Sequence, residues 1–172
     1  MKPTVDQVRN LGMHAAYYNW DVEWVTLPAG ITGFTTSDLN TRAFSIQAPT
    51  RQLDESEIAV RGSKVYQHGI ATYQPITLTL HETVDRKVAS FLEAWLDTEW
   101  ETVNGVQVPK NENQAIIKLS LCDSEDRRTA EYTMVGCWLT SFDHGGDYDG
   151  TNSDTVKYTC NIRYDYYKYK KL

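Results

Sequence analysis

Alternating apolar and polar residues run through most of this chain. In YNWDVEWV, residues 18 to 25, Tyr18, Trp20, Val22 and Trp24 fall on one face and Asn19, Asp21 and Glu23 on the other. That period of two marks a strand with one buried side. RAFSIQAP (42 to 49) alternates again through Phe44 and Ile46, and PITLTLHE (75 to 82) sets Ile76, Leu78 and Leu80 against Thr77, Thr79 and His81. QAIIKLSL (114 to 121), TAEYTMVGCWLT (129 to 140) and DTVKYTCNIRYDYYKY (154 to 169) complete the strands, with Val156, Tyr158, Cys160, Ile162, Tyr164 and Tyr166 sharing a face of the last. LPAGITGFTTSDLN (27 to 40) and ETVNGVQVPKNE (101 to 112) read as turn-rich loops. Residues 50 to 73 start with charged side chains and pass through Ile58 and Val60, a glycine turn, then Val65 and Tyr66. This reads as a polar, projecting hairpin.

One segment has a different period. Val84, Val88, Phe91, Leu92, Trp95 and Leu96 form a stripe at helical spacing, with Thr83 as expected cap and Asp85 in the first turn. A helix over about residues 83–97 follows, and residues 1–15 read as a short helix or arm. The expected fold is mainly β, an antiparallel two-sheet sandwich or barrel with one flanking helix. At 172 residues without internal repeats or a linker, one domain spanning 1–172 is expected.

Composition narrows the function. The net charge of −6 argues against gripping nucleic-acid phosphates. The charge is uneven: residues 119 to 156 hold eight acids against Arg127 and Arg128, and five bases accompany Asp165 after that. With 11 tyrosines and 5 tryptophans against 4 phenylalanines, the aromatics suit half-buried strands and subunit contacts. Cys122, Cys137 and Cys160 lie in apolar stretches without metal-ligand spacing and read as free thiols of a reducing compartment. No leader-like or membrane-length apolar run is seen, so a soluble product made in a cytoplasm is expected.

The sharpest candidate for chemistry is DHGGDYDG, residues 143 to 150, with Asp143, Asp147 and Asp149 among glycines. An EF-hand loop needs acids at positions 1, 3 and 5 and Glu at 12, yet the best alignment puts Gly145 at 1 and Val156 at 12. A hydrated hairpin loop is the better reading, with no metal and no cofactor. His14, His68, His81 and His144 make no ligand pair, and Glu82 reads as a polar flank of the helix start. No nucleophile elbow, P-loop or dinucleotide motif is present, so no enzyme is expected.

The order of segments carries a further pattern: ITLTLHET into VDRKVASFLEAW, then AIIKLSL, MVGCWLTSF and DYDGTNSDTVKYTCNIRYDYY. Over about residues 54 to 168 this resembles the tail tube protein of contractile-tailed, T4-like bacteriophages. That family shares the fold of the haemolysin-coregulated protein of type VI secretion. The resemblance implies a structural virion protein, forming hexameric rings stacked into a tube whose lumen conducts DNA without binding it. Implied partners are the tail sheath, baseplate and tape-measure proteins; the implied location is the virion tail, assembled in the host bacterial cytoplasm. Under that reading Arg51, Asp54, Glu55, Glu57, Arg61, Lys64 and Tyr66 of the hairpin, with Tyr164, Tyr166 and Tyr167, are expected subunit contacts. Asp143, Asp147 and Asp149 are expected at a ring face or lumen rim.

Three alternatives stay open: a tube-fold initiator or baseplate protein, the tube of a phage-derived injection device, and a small β-barrel that binds a ligand. A hydrolase using Asp143, His144 and Asp147 is the enzyme-class rival.

Overall fold

A computed structural model describes residues 15–101, 103–146, 151 and 153–172. The strands are β1 (Trp20–Thr26), β2 (Ala43–Ile46), β3 (Thr50–Val60), β4 (Ser63–Gln74), β5 (Ile76–His81), β6 (Ala115–Cys122), β7 (Arg128–Asp143), β8 (Lys157–Arg163) and β9 (Tyr166–Lys171). The helices are α1 (Thr36–Asn40) and α2 (Lys87–Glu99). All pairings are antiparallel. The main sheet runs β1-β6-β7-β8-β5-β2 with β9 also on β7, and β3 pairs only with β4.

The 16-residue β7 belongs to two layers. Its first half lies between β6 and β9, and from Trp138 onward it pairs with β8. The change of partner falls at Gly136, whose φ of 71° is left-handed. A Cβ there would overlap the Asp165 carboxylate, so glycine lets Asp165 close in and donate its backbone N–H to Val135 O at 3.0 Å. Apolar residues of both layers meet α2 in one core: Val22 and Trp24, Ile76, Leu78 and Leu80, Tyr158 and Ile162, with Val88, Phe91, Leu92 and Trp95. Trp24 contacts the edges of Phe91 and Trp95, each with ring centroids 5.6 Å apart.

The mainly β fold with one main helix and a projecting hairpin is as expected, but four details of the reading change. First, α2 begins at Lys87, not near Thr83, and Val84 is fully exposed. Arg86, at φ 54°, turns the chain into the helix, and Thr83 does not cap it. The cap comes from the buried Glu82 carboxylate, which accepts the N–H of Thr83 (2.9 Å), Val88 (3.3 Å) and Ala89 (2.8 Å) and faces Arg42 at 3.6 Å. Second, the segment 27 to 40 contains α1. Thr35 and Asp38 form its capping box, and Leu39 is buried. Third, a bulge between Ala43 and Ser45 turns Phe44 outward, where Lys157 covers its ring at 4.0 Å. Fourth, the last strand breaks after Arg163. Alternation resumes out of phase, so Tyr166 faces out and Tyr167 packs on the core. The expected N-terminal arm lies outside the described residues except for Ala15.

Candidate assembly surface

The hairpin of β3 and β4 stands on its own. Its strands run 11 and 12 residues and join through Arg61 and Gly62, both at positive φ. Two consecutive left-handed residues make the turn whose twist matches that of paired strands. Near Asp54, β4 carries an extra residue, and Gly69 sits so close to the Asp54 carbonyl that a side chain would collide with it.

Every β3 residue is exposed. The ribbon is longer and less polar than the sequence suggests, because Leu53, Ile58, Val60, Val65, Tyr66 and Ile70 all stand in solvent. Ile58 and Val65 are direct cross-strand partners and give one face an apolar strip near the tip. The other face carries Glu55 opposite His68 and Glu57 opposite Tyr66, and Glu57 is bridged by Lys64 at 2.8 Å. Arg51, Asp54 and Arg61 are exposed on the same ribbon.

The root of the ribbon is held by tyrosines. Tyr164 is buried, and its hydroxyl accepts the Thr50 N–H at 3.2 Å and donates to the Thr50 carbonyl at 3.3 Å. Tyr73 of β4 meets the rings of Tyr164 and Tyr167 edge-on at 6.0 and 5.9 Å, and Tyr132 joins through Tyr167. Tyr164 is therefore spent inside the subunit, a correction to its reading as a contact residue. Tyr167 is half-buried in the same cluster, and Tyr166 stays exposed.

Asp143 ends β7 and its carboxylate accepts the Gly146 N–H at 3.4 Å. Asp147 and Asp149 lie outside the described residues. His144 sits 3.2 Å from Glu93 of α2 and meets the Phe142 ring edge-on, contacts that tie it to α2 and to the end of β7. Among the described residues no group of three or more His, Cys, Asp or Glu is arranged to hold a metal ion, and no helix is long and apolar enough to cross a membrane.

The outward face of β5 and β8 with the end of β7 is lined by hydroxyls and an amide. Thr77 donates to Asn161 (3.2 Å), Asn161 to Ser141 (3.1 Å) and Thr140 to the Asn161 carbonyl (2.8 Å). Lys157 and Arg163 flank this neutral strip along β8.

Glu99 escaped the sequence reading, where it is one more acid on the polar side of a helix end. The loop after α2 folds back and half-buries it. Burial pushes its carboxyl up to about 7 from an ordinary value of 4.5, partly offset by the Leu139 N–H it accepts at 2.9 Å. Between those values the folded protein holds a proton that the unfolded chain has lost, so stability falls as pH rises through that window. After allowance for solvent screening of this half-exposed group, the loss is about 1–2 kcal/mol. Melting temperatures at pH 5 and pH 8 should show it, and Glu99→Gln should remove most of the difference. An equal pH dependence in Glu99→Gln would assign the effect elsewhere.

With the geometry in place, comparison with known proteins identifies the class of fold. No family model matches the chain, and no curated protein matches it by sequence. Solved structures do. A chain of the sheath/tube terminator of an extracellular contractile injection system superposes with a TM-score of 0.67 at 15% identity, covering 93% of this chain and 99% of that one. A chain of the anti-feeding prophage baseplate gives 0.66 at 13% identity, covering 93% and 97%. An Hcp protein gives 0.52 at 6% identity, covering 89% and 99%. The chain has the fold found in these contractile-injection-system assemblies. More particularly, it is the tail-tube fold shared with Hcp.

Proposed function

We propose that this chain is the structural subunit of a contractile tail tube, closing into hexameric rings that stack around a lumen, and that it is not an enzyme. The observation that carries the proposal is the hairpin, two long strands exposed on both faces with six large apolar side chains bare. A lone two-stranded ribbon is at best marginally stable in water, and apolar groups so displayed mark a contact surface. In the proposed tube, a subunit of the neighbouring ring is the occupant. The apolar strip of Ile58 and Val65 then packs on it, and Arg51, Asp54, Glu55, Glu57, Arg61, Lys64 and Tyr66 surround that contact. Tyr166 and the exposed rim of Tyr167 add a second contact. The edge strands β1 and β2 offer unpaired backbone for closing the ring by heterologous contacts.

In the proposed tube, DNA passes through the lumen without specific binding, since a conduit must not hold phosphates. The hydroxyl-lined centre of the β5 and β8 face, with Lys157 and Arg163 at its ends, is the proposed wall, and Asp143, Asp147 and Asp149 are proposed at a ring face or lumen rim. Sheath, baseplate and tape-measure proteins are the proposed partners, and the virion tail, assembled in the bacterial cytoplasm, the proposed location. The likeness to injection-system assemblies favours one second reading, a tube of such a device with cargo other than DNA.

Amide hydrogen exchange tests the contact. Hairpin amides from Arg51 to Tyr66 should exchange on the order of a hundredfold more slowly in the assembled form than in the free subunit, the protection expected when locally opening structure is covered. Ile58→Thr with Val65→Thr should leave the melting temperature of the subunit unchanged and prevent assembly. Equal protection in both states would contradict the proposed contact.

A further inference from the structure

We infer that an apolar groove beside the start of β1 is the docking site of the chain's own residues 1–14. The groove belongs to the single subunit, so its occupant is decided apart from tube formation. It holds about 540 Å³. Its floor is the inner face of the β1-β6-β7 layer, where Trp20 lies opposite Leu121 and Leu119 opposite Tyr132. On the β2 side only Ile46 and Ala48 reach it. β2 ends at Ile46 and the hairpin starts at Thr50, whereas β6 runs on to Cys122, so the floor continues where its cover has stopped. Trp20, Ile46, Leu121 and Tyr132 are left only partly buried as a result. A contiguous apolar surface of this kind marks a contact site.

Chemistry and chain length name the occupant. Among the described residues no charged side chain lines the groove. A small polar ligand needs placed polar partners, so the groove suits apolar side chains instead. The described chain starts at Ala15, which is itself part of the groove lining. Residues 1–14 lie outside the described residues, and they join the chain at this rim. Their sequence, MKPTVDQVRNLGMH, sets Val5, Val8 and Leu11 three apart among Asp6, Gln7, Arg9 and Asn10. That spacing belongs to a segment with one apolar side.

The tether decides between this segment and the same segment of a second copy. A segment joined to the rim of its own site is present at an effective concentration on the order of millimolar, far above that of other copies in dilute solution. Seating it also reaches the hairpin. Tyr132 lines the groove, and its ring meets Tyr167 at 5.8 Å in the tyrosine cluster that holds Tyr73 at the ribbon root. The seated segment therefore backs that root and withdraws the groove from contact with other chains.

Full-length variants test the seat. Val8→Asp with Leu11→Asp puts charge on the apolar side, and Gln7→Asp with Asn10→Asp adds the same charge at polar positions. The apolar pair should raise the fluorescence of added anilinonaphthalene sulfonate several-fold over wild type and shift tryptophan emission to longer wavelength. It should lower the melting temperature by about 5–10 °C, the scale of two apolar side chains returned to water in a chain of this size. The polar pair should match wild type. Trypsin should cut after Arg9 in the wild-type chain about tenfold or more slowly than in a free peptide of residues 1–14, because a seated segment is cut only when it opens. Equal effects of the two pairs, or cleavage of wild type as fast as of the peptide, would overturn the inference. Wild-type dye binding that rises on dilution would overturn it too, and would assign the groove to a second copy. The protease comparison needs no variant, so it decides the matter even if the apolar pair fails to fold.

Discussion

Trp95→Ala should destabilise the subunit by about 3–5 kcal/mol, the range for removing a fully buried tryptophan. Trp95 is 0% exposed and packs its ring on Trp24 of β1 and Phe91 of its own helix. The indole is the joint between α2 and the β1 layer, and Phe91 also meets Phe34 from the segment before α1. Truncation leaves a cavity among aromatic rings that cannot collapse without moving the helix. Its Nε1 has no hydrogen-bond partner among the described residues, so the cost is one of packing. A denaturant melt of the free subunit measures the loss. A change under about 1 kcal/mol would mean that α2 does not dock through this residue.

The second large effect is expected at Glu82. Glu82→Ala should cost about 3 kcal/mol, because it strips acceptors from three backbone N–H groups and removes a partner of a poorly exposed arginine. The carboxylate stands where a capping side chain normally would; Asp85, nearer the helix, accepts only the Lys87 N–H at a long 3.4 Å. Glu82→Gln keeps an acceptor and should lose about half as much. Arg42 retains Asp85 at 3.4 Å in either variant, which keeps the expected cost at the low end for a broken buried pair. Equal stability of wild type and Glu82→Ala would show that the first turn of α2 is held by other contacts.

These two residues also show what the sequence makes legible. The stripe from Val88 to Trp95 announces α2 and its buried face because periodicity follows directly from which side chains must leave water. The beginning of the helix is not legible that way. Its cap comes from a residue six positions before Val88, made possible by a left-handed Arg86 that no pattern signals. The split of the last strand is hidden for a related reason. Alternation continues through Tyr164 and Tyr166, while the break is imposed from across the sheet, at Gly136 and Asp165. The α1 turn had a readable mark in Thr35 and Asp38, obscured by the glycines and proline before it.

Among the candidate site residues, exposure on the hairpin was legible because charge clusters there without apolar periodicity. Its apolar strip was not, since Ile58 and Val65 become neighbours only through strand register. Tyr164 reads like its neighbours in a tyrosine-rich tail, and only the fold separates the buried clamp from exposed Tyr166. Glu99 gives no sign in sequence because its burial is made by a loop that closes later in the chain.

Electron cryo-microscopy of the purified protein under assembling conditions tests the central proposal most directly. The account expects sixfold rings stacked into a hollow tube, with the strip of Ile58 and Val65 packed against a subunit of the adjacent ring and the hydroxyl face of β5 and β8 turned to the lumen. Particles that stay monomeric at every concentration, or rings in which the hairpin remains free in solvent, would contradict it.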